Sequence, residues 1–217
     1  MDIDNFWRLT ENIDQGALGS GDEALAVAPL IAALAKLSCK KIRAYEERLC
    51  QLLYNLDGEN FAAHAGESGE SDDGFLYARC HVVAKGRDNY QMVLSNPENM
   101  PRTLDQWCEP LLTVAAEAWA QKTGHSPEDW DFAASVCYET GSNLAQWPSL
   151  PAQDPAETDP FIEEKFDRAV ARAGHAFRKG EYGNVVKLLA RHSARLSHKQ
   201  RRMLDEASAR MRETDKP

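Results

Sequence analysis

Four prolines, at positions 148, 151, 155 and 160, fall in the stretch "WPSLPAQDPAETDPF". Each proline fixes φ and removes a backbone donor, so the stretch is neither regular helix nor central strand. It divides the 217-residue chain into a part over 1–146, a linker over 147–160 and a part over 161–217. Each flanking part must fold from its own apolar pattern.

That pattern is helical on both sides. Asp2 or Asp4 caps a first helix through about Asp14, with Phe6, Leu9 and Ile13 on one side. "GALGSGD", Gly16 to Asp22, reads as a flexible connector. A second helix then shows Leu25, Val27, Ala28, Leu30, Ile31, Leu34 and Leu37. Ser38 caps a third, carrying Ile42, Tyr45, Leu49, Leu52, Leu53 and Leu56, and Asp57-Gly58 ends it. A short helix is predicted around Asn60 to His64, one with Phe75, Leu76, Cys80, Val83 and Ala84 up to about Gly86, and another over Asp88 to Leu94. The clearest pattern runs from Asp105 to Lys122 and closes at Thr123-Gly124. "SPEDWDF" has a cap serine, a proline and first-turn acids, which predict a helix. The following "SVCYETGSN" stays open between helix and short strand, since Val136 and Tyr138 alternate. Beyond the linker, three amphipathic helices are predicted near 161–178, 181–192 and 197–212. The expected fold class is all-α: a helical bundle-like domain, the linker, and a small C-terminal helical hairpin plus helix.

Charge separates the parts further. Residues 161–217 hold 14 Lys and Arg against 8 Asp and Glu, a balance of +6, while residues 1–160 hold 11 against 26, a balance of −15. An acidic body with a basic tail bears on partners, or on how the parts dock. The longest uncharged apolar run, Ala24 to Ala35, is shorter than the roughly 20 residues that span a bilayer. The acidic N-terminus has no signal-peptide pattern. A cytoplasmic protein with no membrane partner is expected. The five cysteines, an odd number with no CxxC, read as reduced, largely buried thiols.

Several segments together carry a likeness. "DIDNFWRLTE", "SDDGFLYARCHVVAKGRDNYQMVLSNPENM" and "CEPLLTVAAEAWAQKTG" resemble, in that order, the bacterial domain of unknown function 4240 family over about residues 1–125. Cys80-His81-Val82 stands where that family commonly has a bulkier pattern. The family has no established activity, so the likeness implies a fold and leaves the reaction open. Separately, "AGHAFRKGEYGNVVKLLA" resembles one tetratricopeptide-type hairpin, with Gly180 and Tyr182 at its turn; one unit does not make a solenoid.

Chemistry-bearing motifs are sparse. Residues 66–75, "GESGESDDGF", place four carboxylates before a helix. Calcium-loop spacing is absent. Ser71 or Asp72 reads as the cap of a helix beginning near Phe75, the acids suiting its dipole. The glycines are expected to keep this loop mobile, with Glu67, Glu70, Asp72 and Asp73 solvated until something basic arrives. The histidines show no HExxH or HxxxH pairing, and His81 reads as a core-edge residue. No dinucleotide, Walker or nucleophile-elbow motif is present. The stretch "RHSARLSHKQRRMLDEASARMR" could meet phosphates through Arg191, Arg195, Lys199, Arg201, Arg202, Arg210 and Arg212. It lacks interleaved aromatics, so a solvated or docked face is preferred and nucleic acid is not the expected partner. Trp147, beside Pro148, is a candidate exposed interface anchor.

The function expected from this is non-enzymatic protein–protein binding, with no catalytic residues, cofactor or metal. More specifically, an immunity- or antitoxin-type protein would neutralise a basic toxin domain. Partner-binding candidates are Glu67, Glu70, Asp72, Asp73 and Trp147. The alternatives are an enzyme with a scattered site, or a nucleic-acid-binding module using the basic C-terminal helices.

Overall fold

The computed structural model describes residues 1–149, 160–190, 196 and 198–214, the side chains of 160–165, 167, 198, 199 and 212–214 excepted. Among the described residues there are eleven α-helices, several 3-10 turns and no strand. The chain divides into two compact units, Met1–Ala152 and Gln153–Pro217.

In the first unit, α6 (Asp72–Ala84) is the central element. Gly74 to Leu76 and Ala78 to Ala84 are all buried, as expected of a helix covered on nearly every side. Helix α4 (Cys39–Asn55) packs against it, and α8 (Val114–Thr123) packs against both α4 and α3 (Glu23–Ala35). Helix α1 (Ile3–Thr10) lies on α3 and α4. Its Phe6 ring stacks 4.7 Å from Tyr45, and Trp7 meets Tyr90 of α7 (Arg87–Ser95) at 5.4 Å. The apolar positions read from α4 are the buried ones: Ile42, Tyr45, Leu49, Leu52, Leu53 and Leu56. The Ser38 cap is also in place, its hydroxyl accepting from the Lys41 N–H.

Four elements differ from expectation, each for a local reason. The first helix stops at Thr10, and the "flexible connector" holds α2 (Gln15–Gly19). Asp14 accepts the N–H groups of Gly16 and Ala17, and Ala17 and Leu18 are buried, so capping and burial outweigh two glycines. The long helix expected from Asp105 begins as a 3-10 turn, Glu109–Thr113, and becomes α-helical only at Val114. Pro110 disfavours α conformation in the residue before it. Trp107 accordingly lies ahead of the helix. In "SPEDWDF" the Ser126 hydroxyl does accept from the Glu128 N–H, but only a 3-10 turn, Pro127–Asp129, follows. The segment left open, 132–146, is neither α-helix nor strand: residues 130–143 are irregular and Leu144–Gln146 is a 3-10 turn. On α3, Leu25 and Ala28 face solvent, while Ala26, Val27, Leu30 and Leu34 are buried.

The second unit is three helices: α9 (Pro160–Arg178), α10 (Tyr182–Leu189) and α11 (His198–Thr214). Helix α10 packs on both others. Ala173, Val185, Leu189 and Ala207 are buried between them, and Phe177 meets Tyr182 edge-on at 5.7 Å across the turn containing Gly180. Of the basic residues considered for phosphate contact, Arg201, Arg202 and Arg210 are exposed; Arg191 and Arg195 lie outside the described residues. Of the linker expected over 147–160, residues 147–149 are seated on the first unit and 150–159 lie outside the described residues.

Candidate functional site

The acidic segment starts where α5 (Glu59–His64) ends. Gly66–Glu70 forms a 3-10 turn, and α6 begins at Asp72. The Ser71 hydroxyl accepts from the Gly74 N–H at 3.1 Å, so the cap read from sequence is present, with the helix starting three residues earlier than Phe75. Glu67, Glu70, Asp72 and Asp73 are all exposed.

The backbone beneath those carboxylates is closely packed, which corrects the expectation of a mobile glycine loop. At Gly66, φ is +56°, and a Cβ would lie 2.5 Å from the Arg102 carbonyl oxygen. A Cβ on Gly69 would collide with the carbonyl of Ala62. Here glycine permits close approach as well as freedom. The Glu67 N–H donates to the Arg102 carbonyl at 3.0 Å. Ser68 is buried; its hydroxyl accepts from the Trp107 indole at 2.9 Å. Glu67 therefore projects from a backbone held by Arg102 and Trp107, and Asp72 and Asp73 from the capped first turn of α6.

The acidic face extends past the cap. Tyr77, one turn beyond Asp73, meets Trp107 edge-on at 5.4 Å. Its phenol pKa is raised, first by burial and then by the charges of Glu109 and Asp73. The Glu109 N–H donates to Glu23 at 2.8 Å. Arg102, packed against Gly66, donates to the Glu98 carbonyl.

Trp147 does not stand out from the surface. It is half-buried, meets Phe75 edge-on at 6.1 Å, and its indole donates to Asp57 at 2.9 Å. It belongs to a buried clasp that sequence reasoning missed. Asp57 is fully buried and also accepts from the Gly141 N–H at 3.0 Å and the Asn143 N–H at 2.8 Å. Arg79, likewise fully buried, lies 4.0 Å from Asp57. It donates to the carbonyls of Leu53 at 3.1 Å and Tyr138 at 3.0 Å and to the Thr140 hydroxyl at 3.0 Å. Its guanidinium carbon sits 4.7 Å from the Phe75 ring centre. Burial pulls the Arg79 pKa down, and the Asp57 charge opposes that pull.

The clasp also caps α4. A helix end leaves carbonyls without intrahelical partners. The Asn143 amide donates to the Tyr54 carbonyl at 3.0 Å and the Gln146 amide to the Asn55 carbonyl at 3.2 Å. Thr140 joins clasp to acidic face, since its hydroxyl donates to the Asp72 carbonyl at 2.7 Å. One sequence signal pointed here: Arg79 is a charge in the middle of the apolar run of α6.

Among the described residues, no group of three or more His, Cys, Asp or Glu side chains is placed to hold a metal ion. His81 is buried, with Nδ1 3.3 Å from the Trp107 carbonyl, and burial lowers its pKa. Burial pushes the Cys80 thiol well up and the Cys108 thiol up to about 12, so both are neutral near pH 7.

Residues 1–121 match the family described as protein of unknown function (DUF4240). The chain belongs to this family. No curated protein and no solved structure matches it. The boundary of the match divides the clasp: Asp57 and Arg79 lie inside the DUF4240 module, whereas Tyr138 to Trp147 lie beyond it.

Proposed function

We propose that this DUF4240 protein is a non-enzymatic binding protein whose acidic face takes a basic protein partner. More specifically, it acts as a bacterial immunity- or antitoxin-type protein that neutralises a basic toxin domain by covering its active site. The observation that carries the reading is the display of Glu67, Glu70, Asp72 and Asp73 on a packed backbone beside Tyr77. Exposed like charges raise the encounter rate with an opposite field, and a fixed backbone lowers the ordering cost of binding. The rim aromatic and the net charge of −15 over residues 1–160 suit the same partner. No helix of the described residues is long and apolar enough to cross a membrane, which is compatible with a cytoplasmic role.

The test compares the unmodified chain with a variant carrying Glu67→Lys, Glu70→Lys, Asp72→Lys and Asp73→Lys. Both are used to capture proteins from the native cell, and recovered proteins are identified by mass spectrometry. A basic toxin domain is expected with the unmodified chain and not with the variant. Purified, it should associate at least about tenfold more slowly with the variant at low salt. The gap should narrow as salt rises. Unchanged association kinetics would remove this face from the account.

A further inference from the structure

The outer face of α3 is apolar where a surface helix normally carries charge. From Ala24 to Ala35 the run is "ALAVAPLIAALA", without one polar side chain. Ala26, Val27, Leu30 and Leu34 fill the core side, while Ala24, Leu25, Ala28, Pro29 and Ala32 are exposed. At about 100° per residue those five fall within an arc of about 140°. Leu25, 56% exposed, is the most exposed large apolar side chain among the described residues. A helix apolar all round is ordinarily buried all round. The neighbouring α1 shows the usual surface, exposing Asp4, Asn5 and Arg8.

Charge returns at the two ends of this face. Asp22, the N-cap, and Lys36, the C-cap, are both exposed. Glu23 is turned elsewhere, its carboxylate accepting from the Glu109 N–H. The face is therefore negative at its start, positive about 21 Å away at its end, and apolar between. Rotated by half a turn, such a face matches itself. Asp22 then meets Lys36 of a second copy, and the two helix dipoles oppose. Leu25 lies against Ala32 and Ala33 of that copy, whose small side chains leave room for it. Pro29, midway between Asp22 and Lys36, falls on the two-fold axis. Residues 1–160 carry a net charge of −15, so two copies repel over most of their surface and meet with least repulsion here. The same field repels an anionic membrane, and a basic partner finds no counter-charge along the apolar stretch.

We infer that the outer face of α3 is a homodimer surface, on which a second copy of this chain packs its own α3 antiparallel. The face is about 20 Å long, so two copies bury less on it than the roughly 1,200 Å² of a standard interface. The dimer is accordingly weak and forms as protein concentration rises. This surface is separate from the acidic face and does not rest on the binding function proposed above.

Sedimentation equilibrium of the full chain, from about 5 to 500 μM, is expected to show monomer and dimer in exchange. Leu25→Asp should weaken the dimer at least about tenfold. Its melting temperature should stay within about 2 °C of the parent's, because the side chain is exposed. Lys36→Glu sets like charges opposite Asp22 and should weaken the dimer about three- to tenfold at low salt. Cross-linking tests the register. Under mild oxidation Pro29→Cys should give more disulfide-linked dimer than the parent, its sulfurs meeting across the axis. Lys36→Cys should not, since the two copies of that position lie about 21 Å apart. A chain that stays monomeric up to about 500 μM would overturn the inference. So would a dimer that Leu25→Asp leaves untouched, or cross-linking through Lys36→Cys in place of Pro29→Cys.

Discussion

Asp57 and the pair Asp72–Asp73 sit at opposite extremes of the same unit. Asp57 is fully buried and accepts hydrogen bonds from three N–H groups; Asp72 and Asp73 stand in solvent at the start of α6. The buried carboxylate has its partners supplied by the chain itself, so its role is to fix where the 138–147 arm lies. The exposed ones are backed by a fixed backbone and face outward. The difference separates a charge that specifies structure from charges free to meet a partner. Number of acids is a poor guide to which is which; the supply of donors around each decides.

The largest test of that contrast is Asp57→Ala. It leaves the buried Arg79 without its Asp57 partner and strands the arm donors, so urea unfolding should show a loss of about 3–5 kcal/mol. Converting the pair together, Asp57→Leu with Arg79→Met, should recover the part due to the unpaired Arg79 charge, while the arm donors stay stranded. A loss below about 1 kcal/mol for the single change would mean that the buried charge specifies little.

Next comes the platform beneath the exposed acids. Gly66→Ala brings a Cβ against the Arg102 carbonyl at a positive φ, and should cost about 1–3 kcal/mol. A melting temperature equal to that of the parent would mean the segment yields easily, contrary to the fixed display argued above. Ser71→Ala removes the α6 cap and should cost about 1 kcal/mol, read in the same melts.

A smaller effect follows from His81, which lies behind Trp107. Its pKa is lowered in the folded chain, so the unfolded chain binds the proton more readily. The neutral ring's contribution is complete above the ordinary histidine value and is lost as pH falls from about 6.5 through the lowered folded value. His81→Gln should flatten that part of the stability–pH curve, and identical curves would rule the effect out. Smallest of all, Glu67→Gln with Glu70→Gln should move stability by less than about 0.5 kcal/mol, since both side chains are exposed. A larger loss would show these acids to be structural.

Periodicity made the helices of both units readable, because each buries an apolar stripe: α4 is the clearest case, down to its Ser38 cap. Where capping chemistry acted without a following apolar stripe, as after Ser126, the predicted helix shrank to one turn. Where burial acted against composition, as at Ala17 and Leu18, a helix formed in a stretch read as a connector. The acidic face was legible because charge and cap sit in one contiguous stretch. The clasp was not, because Asp57, Arg79 and the 138–147 arm meet only through tertiary folding. Asp57-Gly58 read as no more than a helix stop, and Trp147 as an exposed anchor, since neither pattern shows an acceptor awaiting a donor far along the chain.

The Thr140 hydroxyl receives a hydrogen bond from Arg79 and gives one to the Asp72 backbone. That single oxygen is a rivet between the interior and the rim. The Asp72 backbone stands one hydrogen bond from the arm and two from the Arg79 guanidinium, so an arm that lifts away uncouples the first turn of α6 from the interior.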